Sequence, residues 1–326
     1  MMEKRILFLS KGEHSPSTRY RAFNYFPHLK SNGWHPEHLN VRGTLAEKLN
    51  LLRRAGKADV VVVLRHAFGF PMLPLLRRAA KRLIFDFDDA IFVKSDGNPS
   101  KGRARRFRHM LENCDQVWSG NQYLAANANQ FNSHVTIVPT AIDIDRYRIQ
   151  VEKPADYIDL VWIGSSSTSR YLKDLLPTLE KCALVVPNLR LKIIADFELQ
   201  SDILTIKNVP WSQETEVSEL VSSHIGIAPM SDNNWTRGKC ALKVLQYMAC
   251  RLPVISSASG ANQDIIQHNI TGLLSTNEDE WLSAIARLAG SESDRNAMGA
   301  AGAELCCRSF SQDVIARVML KQISRD

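Results

Sequence analysis

The sequence predicts an α/β protein of two Rossmann-like, doubly wound domains facing a cleft, and three observations predict it. At 326 residues the chain exceeds what one hydrophobic core usually organises. Short β-rich apolar runs alternate with longer helical patterns, the signature of βαβ units on a parallel sheet. The alternation lapses in a charged stretch from Asp143 to Asp159, around Pro154, and then starts afresh.

In the first half the expected strands are Ile6–Leu9, Val60–Leu64, Leu83–Phe87, Gln116–Trp118 and Val135–Val138. Helical spacing fills the intervals at Arg21–Lys30, Leu45–Ala55, Leu73–Ala80, Ala104–Leu111 and Tyr123–Phe131. The second series has strands at Ile158–Ile163, Leu191–Ile194, Ile225–Ala228 and Pro253–Ser256. Its helices are expected at Arg170–Val186, Glu214–Ser222, Lys239–Cys250, Glu278–Leu288 and Arg295–Cys307, with a last helix at Gln312–Ile323. The expected domains are 1–150, 151–309 and a closing helix over 310–326. Doubly wound halves bring strand carboxyl ends and helix N-termini into one crevice, where free N–H groups and partial positive charge suit phosphate.

Composition narrows the class. The apolar share of 44% is ordinary for a globular protein, and the longest apolar runs, such as Val60–Leu64, are far shorter than a membrane span. The opening MMEKRILFLSK is too short for a signal peptide, lacks a small-residue cleavage site and reads as a first strand, so a cytoplasmic protein is expected. Six cysteines without a CxxC pair and nine scattered histidines without HExxH give no expectation of a metal site or cofactor. Residues 1–150 carry 24 Lys+Arg against 13 Asp+Glu, whereas the rest carries 17 against 21. The basic surplus, densest from Arg77 to Arg108, attracts anionic surfaces.

The strongest local feature starts at Trp235: WTRGKCALKVLQYMACRLPVISSASGANQDIIQHNITGLL. Gly238 is expected to end a loop and Lys239 to open a helix, so that Lys239, Lys243 and Gln246 share one face. Arg237 and Lys239 would add side-chain charge to the helix dipole and suit a diphosphate. A plain amphipathic helix with a solvated lysine face is the alternative.

The run LxYMAxxLPVISSxxGxxxxI resembles the donor-binding segment of the retaining family-four (group 1) glycosyltransferases of GT-B fold. VPTAIDIDRY (Val138–Tyr147), VPWSQETEVSELVSSHIGIAPM and the closing FSQDVIARVMLKQI are similar to further motifs of that family. The branch that writes RGKxxLKxLQYMA together with DFDDAIF is the nearest in wording. The resemblance implies two Rossmann-like domains, a C-terminal helix crossing back onto the first, and a UDP- or GDP-sugar donor. It also implies front-face transfer with retention and no metal. A glycan or lipid-linked acceptor in polysaccharide or surface-glycan synthesis follows from the same resemblance.

Departures accompany the likeness. The family's two donor-binding glutamates fall on Gly238 and Gln246, and Ser165 follows Gly164 where an arginine is usual. Phosphate binding is therefore expected to shift to Arg237, Lys239 and Lys243, with Gly164, Ser165, Ser166 and Thr168 adding hydroxyls and N–H groups, and Gln246 reaching the ribose.

IFDFDDAIF sets Asp86, Asp88 and Asp89 at a strand end, where three carboxylates repel and at least one needs a partner or a raised pKa. Matched to the family's "vHD", Asp88 and Asp89 line the acceptor site, and Asp88 orients or deprotonates the acceptor hydroxyl. A metal-binding DxD and a capping cluster are alternatives. In SPSTRYR, Ser17 or Thr18 is expected to cap a helix that turns Arg19 and Arg21 toward the crevice, to meet donor phosphate or an anionic acceptor with Arg19 in a catalytic role; two solvated arginines at a helix start are the alternative. KGRARRFRHML interleaves Arg103, Arg105, Arg106 and Arg108 with Phe107, Met110 and Leu111, a pattern able to lie on anionic lipid. No motif for nucleic acid accompanies it. A nucleotide-sugar epimerase of the same fold and a catalytically silent binding module are the competing functions.

Overall fold

Strand β1, Lys4–Ser10, buries both faces: Ile6 and Phe8 join one apolar cluster, Leu7 and Leu9 another. A strand covered on both sides belongs to a parallel sheet between helical layers. The computed structural model, which describes residues 4–324, contains two such sheets. The first comprises β1, β2 (Trp34–Asn40), β3 (Val60–Leu64), β4 (Leu83–Phe87), β5 (Gln116–Ser119) and β6 (Val135–Ile137) in the order β2-β1-β3-β4-β5-β6. The second comprises β7 (Ile158–Ile163), β8 (Leu189–Ala195), β9 (Thr205–Pro210), β10 (Ile225–Ala228), β11 (Val254–Ser257) and β12 (Gly272–Ser275) in the order β12-β11-β10-β7-β8-β9. Every strand pairing is parallel.

Each sheet reverses its direction of growth once, between β1 and β3 in the first and between β7 and β10 in the second. At such a switch point the loops leaving the two strands diverge, opening a crevice at their carboxyl ends.

The chain forms two compact units. One contains Met1–Ala141, Asn233–Cys240 and Gln312–Asp326, and the other Ile142–Asp232 and Ala241–Ser311. Residues 1–3 and 325–326 lie outside the described residues. The change of unit expected near residue 150 falls at Ala141–Ile142, because the Ile142 N–H donates to the Phe310 carbonyl (2.8 Å) and Tyr147 is buried in the second unit's core. The chain returns to the first unit at Gln312, and helix Gln312–Ile323 buries Ile315, Ala316, Met319 and Ile323 against residues of β1 and β3.

Three strands escape the sequence reading, β2, β9 and β12, and all three are sheet edges. β2 and β9 are half-exposed and carry polar residues, and β2 even contains Pro36, which an edge tolerates, while β12 is a largely buried strand of only four residues, too short to leave a pattern. The helix expected over Arg21–Lys30 divides instead into Pro16–Arg21, a 3-10 turn at Phe23–Tyr25, and Phe26–Ser31. Among the described residues no helix is long and apolar enough to cross a membrane.

A charge network closes the amino end of the second sheet. Arg190 donates twice to Asp159 (2.7 and 3.0 Å), and buried Lys192 donates to the Glu219 carbonyl (3.0 Å) and the Ser222 hydroxyl (2.9 Å). The Asp159 N–H donates to His224 Nδ1 (3.0 Å), so the neutral imidazole is the form that fits. Burial, and then Lys153, hold the His224 pKa down at about 4. Between pH 6.5 and about 4 the unfolded chain therefore binds a proton that the native imidazole refuses, and stability falls as the pH falls through this window. Urea midpoints measured across pH 7 to 4 are expected to drop. His224→Asn, whose side-chain oxygen accepts the same N–H without titrating, should flatten part of that drop.

Candidate active site

In the second unit the chain leaves β7 through Gly164, whose N–H donates to the Ile194 carbonyl (3.0 Å). A Cβ there would stand 2.3 Å from the Trp162 ring and 2.7 Å from Lys243 Nζ, so the position admits glycine alone. Ser165 precedes a 3-10 turn, Ser166–Thr168, that leads into helix Ser169–Val185. Lys243, on helix Leu242–Ala249, lays its ammonium 3.8 Å from the Trp162 ring centroid and 3.4 Å from Thr168 Oγ1. Loop and lysine thus stand at the carboxyl end of β7, beside the β7/β10 switch point. Asp196 accepts from the Ser166 N–H (2.6 Å) and hydroxyl (3.1 Å), so a carboxylate already occupies the donors that phosphate was expected to find there. Gln246 is buried and its amide donates to the Tyr147 hydroxyl (3.1 Å).

The shared face of Lys239, Lys243 and Gln246 does not form. Ala241 takes a left-handed φ of +54°, the helix begins only at Leu242, and Lys239 lies outside it. Asn233–Cys240 belongs to the first unit, where Asn121 donates to the carbonyls of Arg237 (3.0 Å) and Lys239 (2.9 Å). Lys239 pairs with Asp89 (3.1 Å) and covers the Trp235 ring (4.8 Å). Arg237 is exposed on the 3-10 turn Thr236–Gly238 of the same unit. The turn packs so tightly that a Cβ on Gly238 would meet the Ala90 backbone nitrogen and Cβ at 2.6 Å. This explains the missing glutamate: in this chain the position is a backbone contact with the Asp88–Ala90 turn.

Asp86 pairs with Arg21, whereas Asp88 and Asp89 share Arg65 and Asp89 also meets Lys239. Arg21, expected toward the crevice, is only 2% exposed and forks onto Asp86, which is 1% exposed. Its Nε donates to Asp86 Oδ1 (2.9 Å) and its Nη1 to the Val138 carbonyl (2.6 Å). Burial raises the Asp86 pKa to about 6, with Arg21 pulling it back, so the pair is ionised at neutral pH. Arg65, at a left-handed φ of +50°, donates to Asp89 and stands 3.1 Å from Asp88 Oδ1. Burial raises Asp89 while Arg65 and Lys239 oppose the rise. Arg65 Nε is close enough to Asp88 Oδ1 for an ion pair but misaligned for a hydrogen bond, leaving that buried oxygen without a donor. Of the three aspartates, Asp88 alone keeps an unused buried acceptor.

Helix Pro16–Arg21 is entered through Ser15, not capped by Ser17 or Thr18. The buried Thr18 hydroxyl is instead bonded to the Gly12 carbonyl (2.8 Å) and Ser10 (2.7 Å). Arg19 stacks over Tyr20 (4.8 Å). The cations that do line a hollow at the carboxyl ends of β1 and β3 are Lys11, Arg42, Arg65, Arg103 and Arg106, with His66 beside them. Sequence reading missed Lys11, Arg42, Arg65 and His66 because they come from three separate loops. Helix Lys101–Asn113 buries Phe107, Met110 and Leu111 in the core, so it offers solvent its arginines and no apolar stripe. Arg108 pairs with Glu112 (2.6 Å). A larger hollow, about 1300 Å³, runs along the amino ends of the first sheet's strands, from Lys4 to Ser324. Ligands of doubly wound sheets bind at the opposite end.

Restoring the acidic residue by Gly238→Glu is expected to cost about 1–3 kcal/mol of stability, the range for overpacking, without improving nucleotide binding. Chemical denaturation alongside a UDP titration checks both.

Residues 157–291 match the model of the family described as Glycosyl transferases group 1. No curated protein matches the sequence. Among solved structures, HepE of Anabaena in complex with UDP and glucose is similar at a TM-score of 0.76 and 13% identity, over 98% of this chain and 99% of that one. Sucrose-phosphate synthase of Thermosynechococcus elongatus gives 0.75 and 14%, over 98% of each chain. A glycosyltransferase of Rickettsia africae gives 0.74 and 13%, over 99% of this chain and 98% of that one. Likeness over nearly the whole length establishes the fold, and the match to residues 157–291 falls on the Gly164 loop and Lys243. The chain therefore has the GT-B fold of these structures, and residues 157–291, within its second unit, match the glycosyl transferases group 1 model.

Proposed function

We propose that the chain transfers a sugar from a UDP- or GDP-sugar to a glycan or lipid-linked acceptor, with retention, in polysaccharide or surface-glycan synthesis. The observation that carries this reading is Lys243: its ammonium stands against Gly164 and Thr168 of the loop after β7, beside the β7/β10 switch point, within the stretch that matches the group 1 model. A diphosphate there gains one charge-assisted contact from Lys243 and a close backbone approach at Gly164. The UDP, glucose and UDP-glucose in the HepE structures support a UDP donor.

In the proposed reaction the bond from the anomeric carbon to the leaving phosphate oxygen breaks as the acceptor oxygen bonds to the same face. The acceptor proton passes to that phosphate oxygen. Lys243 carries the charge that develops on the diphosphate, and no metal or cofactor is invoked. Asp88, with its undonated Oδ1, is the group we assign to orienting the acceptor hydroxyl or steadying positive charge at the anomeric carbon. Asp89 is a positioning residue that holds Arg65 and Lys239. Lys239 and Gln246 are not assigned to the donor.

Peripheral contact with an anionic membrane is part of the proposal. Phe70 is 91% exposed and lines a hollow of about 550 Å³ with Arg105 and Arg106, a combination of apolar anchor and basic rim.

Lys243→Ala is expected to weaken UDP binding by roughly 10- to 100-fold, the loss of one contact worth about 1.5–3 kcal/mol. Asp88→Asn should cut turnover while leaving UDP affinity near wild type. Unchanged affinity in Lys243→Ala, measured by calorimetry, would remove the donor assignment. In vesicle sedimentation, Phe70→Asp with Arg105→Glu should abolish any preference for anionic over neutral lipid.

A further inference from the structure

The hollow at the β1/β3 switch point has a volume of about 560 Å³ and is strongly basic. Lys11 and Ser15 come from the loop after β1, Arg42 from the loop after β2, Arg65 and His66 from the loop after β3. Arg103 and Arg106 reach it from helix Lys101–Asn113. Among these five cations Arg65 alone has carboxylate partners, Asp88 and Asp89. Arg103 donates to the Val93 carbonyl (2.6 Å). No carboxylate stands within ion-pair distance of Lys11, Arg42, Arg103 or Arg106 among the described residues.

An arrangement of this kind is costly to hold without an anion. Burial, and then the charges of Arg65, Arg42 and Arg103, lower the Lys11 pKa. Burial, and then Lys11, Arg42 and Arg106, press His66 down to about 4, so its ring is neutral at pH 7. A bound anion removes that repulsion. Guanidinium forks match phosphate oxygens two at a time, and several cations converging on one hollow suit a group of two or more negative charges better than a lone carboxylate. The place agrees as well, since doubly wound sheets bind their ligands outside the strand carboxyl ends at the switch point.

We infer that this hollow, through Lys11, Arg42, Arg65, Arg103 and Arg106, binds the phosphate or diphosphate group of a phosphorylated acceptor. The word acceptor rests on the proposed function, because the donor diphosphate is assigned to the second unit; the anion site itself does not. Phosphoryl acceptors come from two sources, a soluble sugar phosphate or an isoprenoid diphosphate.

The test is calorimetric titration of inorganic pyrophosphate into the full chain with saturating UDP present. Wild type is expected to bind, with affinity falling as salt rises. Arg42→Gln with Arg106→Gln should weaken pyrophosphate binding at least tenfold while changing UDP affinity less than twofold, which also reports that the variant is folded. Lys243→Ala should show the reverse pattern. Absent pyrophosphate binding in wild type, or equal binding in Arg42→Gln with Arg106→Gln, would overturn the inference. Loss of pyrophosphate binding in that variant, combined with unchanged UDP affinity in Lys243→Ala, would retain the anion site and overturn the donor reading instead. Competition by farnesyl diphosphate against glucose 1-phosphate then separates the sources: the tighter competitor names the acceptor class.

Discussion

The carboxyl end of the first sheet is organised around one buried ion pair, Arg21 with Asp86. The guanidinium joins three parts of the chain that are far apart in sequence: helix Pro16–Arg21, the end of β4, and the Val138 carbonyl just beyond β6. Such a pair adds little net stability over an apolar substitute, yet breaking it strands a buried charge at a cost of about 3–5 kcal/mol. Its consequence is positional. With Asp86 committed inward, the chain turns directly after β4, and Asp88 and Asp89 are left to meet Arg65 and Lys239. The candidate catalytic carboxylate is set by a residue that takes no part in chemistry.

The same turn dictates a sequence change that otherwise looks like a lost function. Gly120 and Gly238 both pack against it. A Cβ on Gly120 would stand 2.3 Å from Cys240 Sγ and 3.1 Å from Asp88 Cα, and one on Gly238 would overlap Ala90. A glutamate at 238 is therefore incompatible with this packing, whatever its use in relatives. The lysine that follows is drawn into the same arrangement as partner of Asp89.

Charge is distributed accordingly. In the second unit Lys243 meets Thr168 of the loop after β7, where the Asp196 carboxylate holds Ser166. The first unit gathers five cations at its own switch point. The surplus of basic residues in the first 150 positions is thus not an even coat, and part of it converges on one hollow.

Much of the fold was legible in the sequence because central strands are buried on both faces and read as unbroken apolar runs, as in VVVVL of β3 and LVWI of β7. The edge strands β2 and β9 were not, since a half-exposed strand leaves no such run, and β12 was not because its four residues, GLLS, are too few. The Gly164 loop and Lys243 were legible as a motif, and so were the aspartates after β4. Their partners were not: Arg21 read as a crevice residue and proved buried, and Lys239 read as the start of a helix that begins three residues later at Leu242. The basic hollow was invisible, because Lys11, Arg42, Arg65 and Arg106 meet only when β1 and β3 lie side by side. The sequence by itself determined the alternation of strands and helices, and so the two parallel sheets, because hydrophobic periodicity is local. Tertiary structure alone decided which charges neutralise one another and which remain for a ligand, because ion pairs depend on distances between residues tens to hundreds of positions apart.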